Sequence, residues 1–407
     1  MWGKAGKGGG YAQDNKSELD MRILIINRYS VTQTQGGVAE FLHYLPLSLQ
    51  SLGVETFIYN EGKGDSLQGP ELLPSGMQAY TGPFIKPGFF VSSKKLQPLI
   101  DLCRTQKIDL IHAQGTYRCG FIALQLFKRT GIPYVITSHA DIATSNSARM
   151  RRARTQRRCS KILQHAWHVT HLTPLMAEVS HKTHDTRGKS TIIGNGIDAQ
   201  HYRKYLHLPE QNYILAIGRF EKEKGFDVLI SAYAELRKMG CNTSLVIAGS
   251  GFQEAALHEQ AKQTGLNVLT DFQQIDQIPE NSIVFTGYIR GEAKQRLIAQ
   301  SKLFLFSTQP QILEEAFGIV QLEAMAAGKY LIASDSATTR FLQGFGLEAG
   351  LVQADNPLAW ARKICDVLAD DDLRLRIGKV NLEQAAQFDW PIVARQYRDM
   401  YLSIRKA

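Results

Sequence analysis

Apolar residues fall into two rhythms along this chain. Short unbroken runs are the mark of strands buried on both faces. They begin at Met21–Asn27 (MRILIIN) and return at 54–59 (VETFIY), 108–113 (IDLIHA), Tyr134–Ser138 (YVITS), 167–173 and 190–193. Between them apolar positions take helical spacing, as in the stretch from Gly36-Gly37 to about Leu52 and in 120–128. A second series opens at 212–217 (NYILAI) and continues through Ser244–Ala248, 283–286, 303–307 and Tyr330–Ser334. Strands alternating with helices predict parallel sheets covered by helices. Two series in tandem predict an α/β fold of two Rossmann-like domains. The weakly patterned stretch 198–211, with Pro209, predicts the linker, so the domains read as 21–205 and 206–387. In 388–407, Ile392, Val393, Tyr397, Met400 and Tyr401 lie at helical spacing and predict a terminal helix packed on a neighbour. Residues 1–20, rich in Gly, Lys and Asp, read as a disordered tail or an expression remnant.

Composition narrows the class. The chain has 407 residues, 44% hydrophobic and 21% charged. Those values exclude disorder, collagen and coiled coil, and the length allows a core that needs no disulfide or metal staple. Five cysteines without a CxxC pair fit a reducing compartment and give no zinc signature. No apolar run approaches the ~18–20 residues of a membrane span, and no secretory pattern opens the chain. The expectation is a cytoplasmic protein, peripheral at most on the inner face of a membrane. The net charge of +9 permits an anionic partner without identifying one.

Ligands of parallel α/β sheets bind beyond the carboxyl ends of the strands, so chemistry is sought just after each apolar run. Gly36-Gly37 follow the first run and open a helix, where backbone amides and the helix N-terminus attract phosphate; an ordinary turn with a helix cap reads equally well. Gly218-Arg219-Phe220-Glu221-Lys222-Glu223-Lys224-Gly225 follows the first run of the second series. There Arg219, as a planar fork, and Lys224, as a point charge, converge on one diphosphate; most such runs are solvated loops, but this one lies between a strand and a helix. Glu315 and Glu323 stand eight positions apart across a helix start, up to ~12 Å along a helix axis. That exceeds the carboxylate separation of a glycosidase pair, ~5 Å to ~9.5 Å. It suits two groups gripping opposite ends of an extended ligand. The alternative, two exposed helix glutamates, is opposed by Phe317, Ile319, Val320, Leu322 and Met325, which make the segment apolar.

Taken together, Gly36-Gly37, GRFEKEKG, ITSHAD (136–141), IIGNGID (192–198) and EAFGIVQLEAMAAG (315–328) resemble family 4 of the retaining glycosyltransferases, whose fold is called GT-B. The resemblance runs from Met21 to the end of the chain. FDWPIVARQYRDMY is also similar to the family's closing helix, which crosses back onto the N-terminal domain, and would add 388–407 to it. The resemblance implies two domains facing across a cleft and transfer of a hexose from a nucleoside-diphosphate sugar to an acceptor hydroxyl, with retention of anomeric configuration. It implies that donor phosphates meet Arg219, Lys224 and the Gly36-Gly37 amides, and that Glu323 takes the ribose hydroxyls. Glu315, with the amides of Phe317 and Gly318, would hold the transferred sugar. His139 would sit at the reacting sugar beside the acceptor, with 195–198 near the cleft. No metal or other cofactor is implied, because the Arg/Lys pair and helix ends replace one. Three departures from the family's pattern stand out: the longer loop 307–315, no proline in 328–331, and no glycine pair in 334–339, the last of which touches the sugar pocket and so bears on the donor sugar, not the fold.

His139 alone reads as a structural histidine; its place after Tyr134–Ser138 is what raises it. Gly249-Ser250-Gly251 lacks the rest of a dinucleotide fingerprint and reads as packing. The densest basic run, 149–161, places Arg151, Arg154 and Arg158 on one side of a helix beyond His139 and Asp141. It reads either as a solvated face or as the acceptor side, binding an anionic glycan or glycolipid or an acidic membrane surface. Nucleic acid is not indicated, since no aromatic residues interleave with the arginines. The alternatives to a transferase are a catalytically silent nucleotide-sugar-binding protein and another GT-B enzyme, epimerase-like or phosphorylase-like.

Overall fold

The structure is a computed structural model and describes residues 21–28, 37–62, 64, 66–73, 76–88, 92–139 and 152–405. Gly36, Asp141 and Arg151 lie outside the described residues. The strands in chain order are β1 (Met21–Asn27), β2 (Val54–Glu61), β3 (Gln68–Leu72), β4 (Gln78–Gly82), β5 (Leu110–Gln114), β6 (Tyr134–Ser138), β7 (His168–His171) and β8 (Ser190–Ile192). The second series is β9 (Tyr213–Ile217), β10 (Ser244–Ala248), β11 (Asn267–Leu269), β12 (Ser282–Gly287), β13 (Leu303–Phe306), β14 (Tyr330–Ser334) and β15 (Ala349–Val352). They form an 8-stranded sheet, β3-β4-β2-β1-β5-β6-β7-β8, and a 7-stranded sheet, β11-β12-β10-β9-β13-β14-β15. Neighbours pair in parallel, except that β3 runs antiparallel to β4. The second sheet is parallel throughout.

The apolar runs are strands because helices cover both faces of each sheet. On one face of the first sheet Leu24, Ile26, Ile111 and Ile136 pack against the helices Ser93–Thr105, Cys119–Thr130 and Ala153–His165. On the other, Ile23, Ile25, Leu110 and Val135 pack beneath the helix Gly37–Gln50 and the last helix, Trp390–Arg405. That last helix follows the second sheet in sequence and covers the first in space, so the chain crosses between the domains twice. The crossings meet: Ile197 N donates to Phe388 O at 2.8 Å and Trp390 N to Ile197 O at 3.1 Å.

In the middle of each sheet the sequence order reverses, between β1 and β5 and between β9 and β13. At such a point the loops leave the carboxyl ends of adjacent strands toward opposite faces and open a crevice. β3 and β4 were not visible in the sequence: β3 (QGPEL) is exposed at every position, so no apolar run marks it. The stretch 198–211 holds a short helix, Ala199–Arg203, capped by Asp198.

Candidate active site

Lys224 is positioned from the backbone upward. The turn after β9 reaches Gly225 at φ +65°, where an added Cβ would stand 2.1 Å from Ser307 O, so only glycine closes the turn against β13. Ser307 Oγ then donates to Lys224 O at 2.8 Å, and Gln309 N to Glu223 O at 2.8 Å. Gln309 Nε2 is fixed in turn on Ser307 O and Ala354 O, at 2.9 and 3.0 Å. So held, Lys224 forms an ion pair with Glu315 in the loop beyond β13. The pair therefore bridges the two loops of the second sheet's switch point. Arg219, from the same turn, is exposed. The turn rests on Gly249-Ser250-Gly251 through Phe220 N to Ser250 O, 2.9 Å, which gives those glycines a packing role.

Glu315 precedes the helix instead of lying on it. The helix Ile319–Ala326 starts after Gly318, whose φ of +64° and whose would-be Cβ, 2.7 Å from Phe306, again require glycine. Glu323 lies on that helix, 3% exposed, with Oε1 2.6 Å from Lys294 Nζ of the helix Gly291–Gln300. Its Oε2 accepts no well-aligned hydrogen bond, although the Tyr202 hydroxyl lies against the same carboxylate. A buried carboxylate oxygen left so is costly and suits a ligand hydroxyl. The side chain of Phe317 is core: it is 2% exposed and packs on Gly194 across the domains, so only its backbone is offered to a ligand.

The first domain faces this arrangement. Glu40 and Tyr44 of the helix Gly37–Gln50, with Asp198, His201 and Tyr202 at the crossing, line one cavity with Lys294, Ile319 and Glu323. Burial, aided by Glu323 and Asp198 and opposed by Lys294, pushes the Glu40 carboxyl up to about 7. Burial pulls Lys294 down, but Glu323 and then Glu40 outweigh it and hold the ammonium above its ordinary range. Gly37 opens its helix beside Asn195, whose Nδ2 would lie 3.4 Å from an added Cβ.

His139 follows β6. Its Nε2–H donates to Gln114 Oε1 at 2.7 Å, and its ring meets the edge of Phe41 at 5.2 Å. Burial lowers its pKa to about 4. It is therefore a neutral imidazole whose Nδ1 is the acceptor. Behind it runs a buried network. Tyr401 Oη meets His112 Nδ1 at 2.7 Å, and His112 Nε2 meets Thr137 Oγ1 at 2.7 Å. Of the basic run, Arg158 turns inward, with Nη1 donating to Pro87 O at 3.0 Å, while Arg154 is exposed on the helix Ala153–His165.

The structure thus groups Lys224 with Glu315, and Glu323 with Lys294, in the second domain, and His139 with Gln114 in the first. Lys294, Glu40 and Gln114 were missed in the sequence. Lys294, in the first turn of the helix Gly291–Gln300, had as its only signal its place beyond the carboxyl end of β12, and otherwise reads as any charged helix residue. Glu40 and Gln114 had none: each is a lone polar residue whose value comes from what faces it.

Two sheets, parallel but for the edge strand β3, each with its crevice at the switch point and joined by a returning helix, define the GT-B class. Two family models match the chain almost end to end: Glycosyltransferase Family 4 over residues 35–201 and Glycosyl transferases group 1 over residues 198–384. The chain belongs to the family 4 glycosyltransferases. It is 23% identical to a D-inositol 3-phosphate glycosyltransferase of Corynebacterium aurimucosum, over 94% of this chain and 96% of that one. It is 27% identical to the phosphatidyl-myo-inositol mannosyltransferase of Mycolicibacterium smegmatis, over 53% of this chain and 52% of that one. Among solved structures, an Anabaena protein in complex with UDP and glucose superposes with a TM-score of 0.72 at 19% identity, over 94% of this chain and 100% of that one. A glycosyltransferase of Rickettsia africae superposes with a TM-score of 0.74 at 16% identity, over 95% and 99%.

Proposed function

We propose that this glycosyltransferase moves a hexose from a nucleoside-diphosphate sugar to a hydroxyl of a glycan, glycolipid or related acceptor, with retention of configuration and without a metal. The observation that carries the reading is the pair of Lys–Glu contacts in the second domain. They set a carboxylate against an ammonium twice, Lys224 with Glu315 and Lys294 with Glu323, on the loops and helices beyond the carboxyl ends of the second sheet's strands. Glu323, whose Oε2 accepts no well-aligned hydrogen bond, receives the ribose hydroxyls. Glu315 holds hydroxyls of the hexose. Lys224 has three N–H donors, and after Glu315 takes one, two remain for the diphosphate; Arg219 closes over the phosphates from the same turn. The relatives named for inositol phosphate and phosphatidylinositol acceptors support a polyol or glycolipid hydroxyl as nucleophile.

In the transfer, the bond from the anomeric carbon to the diphosphate oxygen breaks and the bond to the acceptor oxygen forms on the same face. The acceptor proton passes to the leaving phosphate, so no side-chain nucleophile is required. Lys224 and Arg219 stabilise the negative charge that develops on the diphosphate, in the place a metal would take. Incubation with a panel of UDP-, GDP- and ADP-sugars, read as release of the free nucleoside diphosphate, tests the donor class. Anomeric coupling constants of the product test retention; an inverted product overturns it.

A further inference from the structure

Cysteine is sparse in this chain, and two of its five thiols meet. Cys103, Cys119 and Cys159 are buried in the core of the first domain. Cys241 and Cys365 belong to the second domain, and both are partly exposed. They stand 124 positions apart in sequence, yet Cys241 Sγ donates to Cys365 Sγ at 3.1 Å.

The fold brings the two sulfurs together from separate elements. Cys241 lies in the connection between the helix Phe226–Lys238 and β10, just after Gly240 at φ +82°. Arg237 Nη1 donates to Cys241 O at 2.5 Å and to Asn242 Oδ1 at 3.1 Å, which pins the turn that presents the thiol. Cys365 lies in the last turn of the helix Pro357–Leu368. Leu229, Tyr233 and Leu236 of the first helix share one buried cluster with Trp360, Ile364 and Val367 of the second, and both cysteines rest on it. Packing of the two helices therefore sets the distance between the sulfurs. A disulfide holds its sulfurs ~2.05 Å apart, so the bond is about 1 Å away.

The two thiols are unequal. Burial, and then the contact with Cys365, pushes the Cys241 thiol up to about 11, with Arg237 opposing. Cys241 thus keeps its proton at neutral pH. Exchange with a disulfide starts from a thiolate, so the first attack falls to Cys365.

We propose that Cys241 and Cys365 are a redox modification site, which a low-molecular-weight disulfide of the glutathione class converts into an intramolecular bridge stapling the second domain. The Cys365 thiolate attacks one sulfur of oxidised glutathione; that S–S bond breaks and one glutathione leaves. Cys241 Sγ then attacks Cys365 Sγ, the mixed S–S bond breaks, and the second glutathione leaves. The two protein thiols give up two electrons and two protons, and one glutathione disulfide becomes two thiols. Cross-links stabilise more the longer the loop they close, and this one joins positions 124 apart. The bridge sits at the far end of a 13-residue helix from the Lys224 turn, ~20 Å along its axis. Its effect therefore falls on stability and not on the shape of the crevice.

The test uses the full-length protein, reduced with dithiothreitol and then incubated with oxidised glutathione. Ellman titration of the unfolded chain counts the remaining thiols, and peptide mapping after alkylation locates any cross-link. Wild type is expected to lose two of its five thiols, to yield a peptide cross-linked between Cys241 and Cys365, and to recover both thiols on reduction. Oxidised wild type is expected to melt above the reduced protein, by ~5 °C or more for a loop of this size. Cys241→Ser keeps the attacking sulfur and is expected to stop at a glutathione adduct on Cys365. The double variant Cys241→Ser/Cys365→Ser, which leaves the packing nearly unchanged, is expected to melt alike with and without the oxidant. Five thiols after oxidation, a cross-link between any other pair, or an oxidised wild type that melts no higher than the reduced protein overturns the site.

Discussion

At Lys224 a single ammonium holds Glu315 and, in the proposed transfer, also meets the leaving diphosphate. Lys224→Ala is expected to lower kcat by ~100-fold or more, the scale of losing one donor to transition-state charge, read as nucleoside diphosphate release. The two glutamates should separate kinetically. In the proposed pose Glu323 contacts a ribose that is unchanged between ground and transition state, so Glu323→Ala should raise KM and weaken binding of the free nucleoside diphosphate. In the same pose Glu315 lies beside the sugar whose ring distorts, so Glu315→Ala should lower kcat with nucleotide affinity kept. If titration shows the reverse, the ligand lies the other way round. Both glutamates were legible in the sequence because the apolar residues between them made solvated carboxylates implausible. Their lysine partners were only half legible. Lys224 stands in a motif, but Lys294 looks like any charged residue on a helix until Glu323 is found buried against it.

Among the elements, the apolar strands were readable because burial on both faces leaves an unbroken run. β3 was not readable, because an exposed edge strand has no such run. The returning helix was readable as amphipathic, but its destination depended on a resemblance, since periodicity records a buried face without naming what covers it. The structure supplies the cover: Tyr397 and Tyr401 are fully buried on the first sheet. Each such ring removes ~150–250 Å² from water. Tyr401 also ends a buried chain of polar groups through His112 to Thr137, two residues before His139. Tyr401→Phe leaves His112 Nδ1 without its partner and is expected to cost ~1–3 kcal/mol in urea unfolding. Nucleotide affinity should not change, since the proposed nucleotide site lies in the second domain. A Tyr401→Phe variant as stable as wild type would show that the network is not what holds the helix.

For the molecule as a whole, the cavity between the domains couples stability to pH. The Glu40 carboxyl is raised from 4.5 to about 7 in the folded state, so folding favours its protonated form. The stability this contributes is complete below about pH 4.5 and is lost as pH rises through about 7, where ionised Glu40 faces Glu323 and Asp198 with Lys294 as its counter-charge. The shift corresponds to at most about 3 kcal/mol. The depressed histidines His112 and His139 act in the opposite sense, losing stability as pH falls below their ordinary range toward about 3 and about 4. The difference between wild type and Glu40→Gln therefore isolates the carboxyl: melting curves should show wild type losing stability relative to the variant between about pH 5 and about pH 8. A constant difference across that range would mean that Glu40 is not buried in the closed cleft.

The claim on which the rest depends is that the crevice of the second domain holds a nucleoside-diphosphate sugar through Glu323 and Lys224. A thermal-shift panel of UDP-, GDP- and ADP-sugars, run on wild type and Glu323→Ala, tests it most directly. A cognate donor at ~100 times its Kd adds ~2.7 kcal/mol to the native state. The account predicts that at least one donor raises the wild-type melting temperature and that Glu323→Ala loses most of the rise. No rise with any donor, or the same rise in the variant, would contradict it.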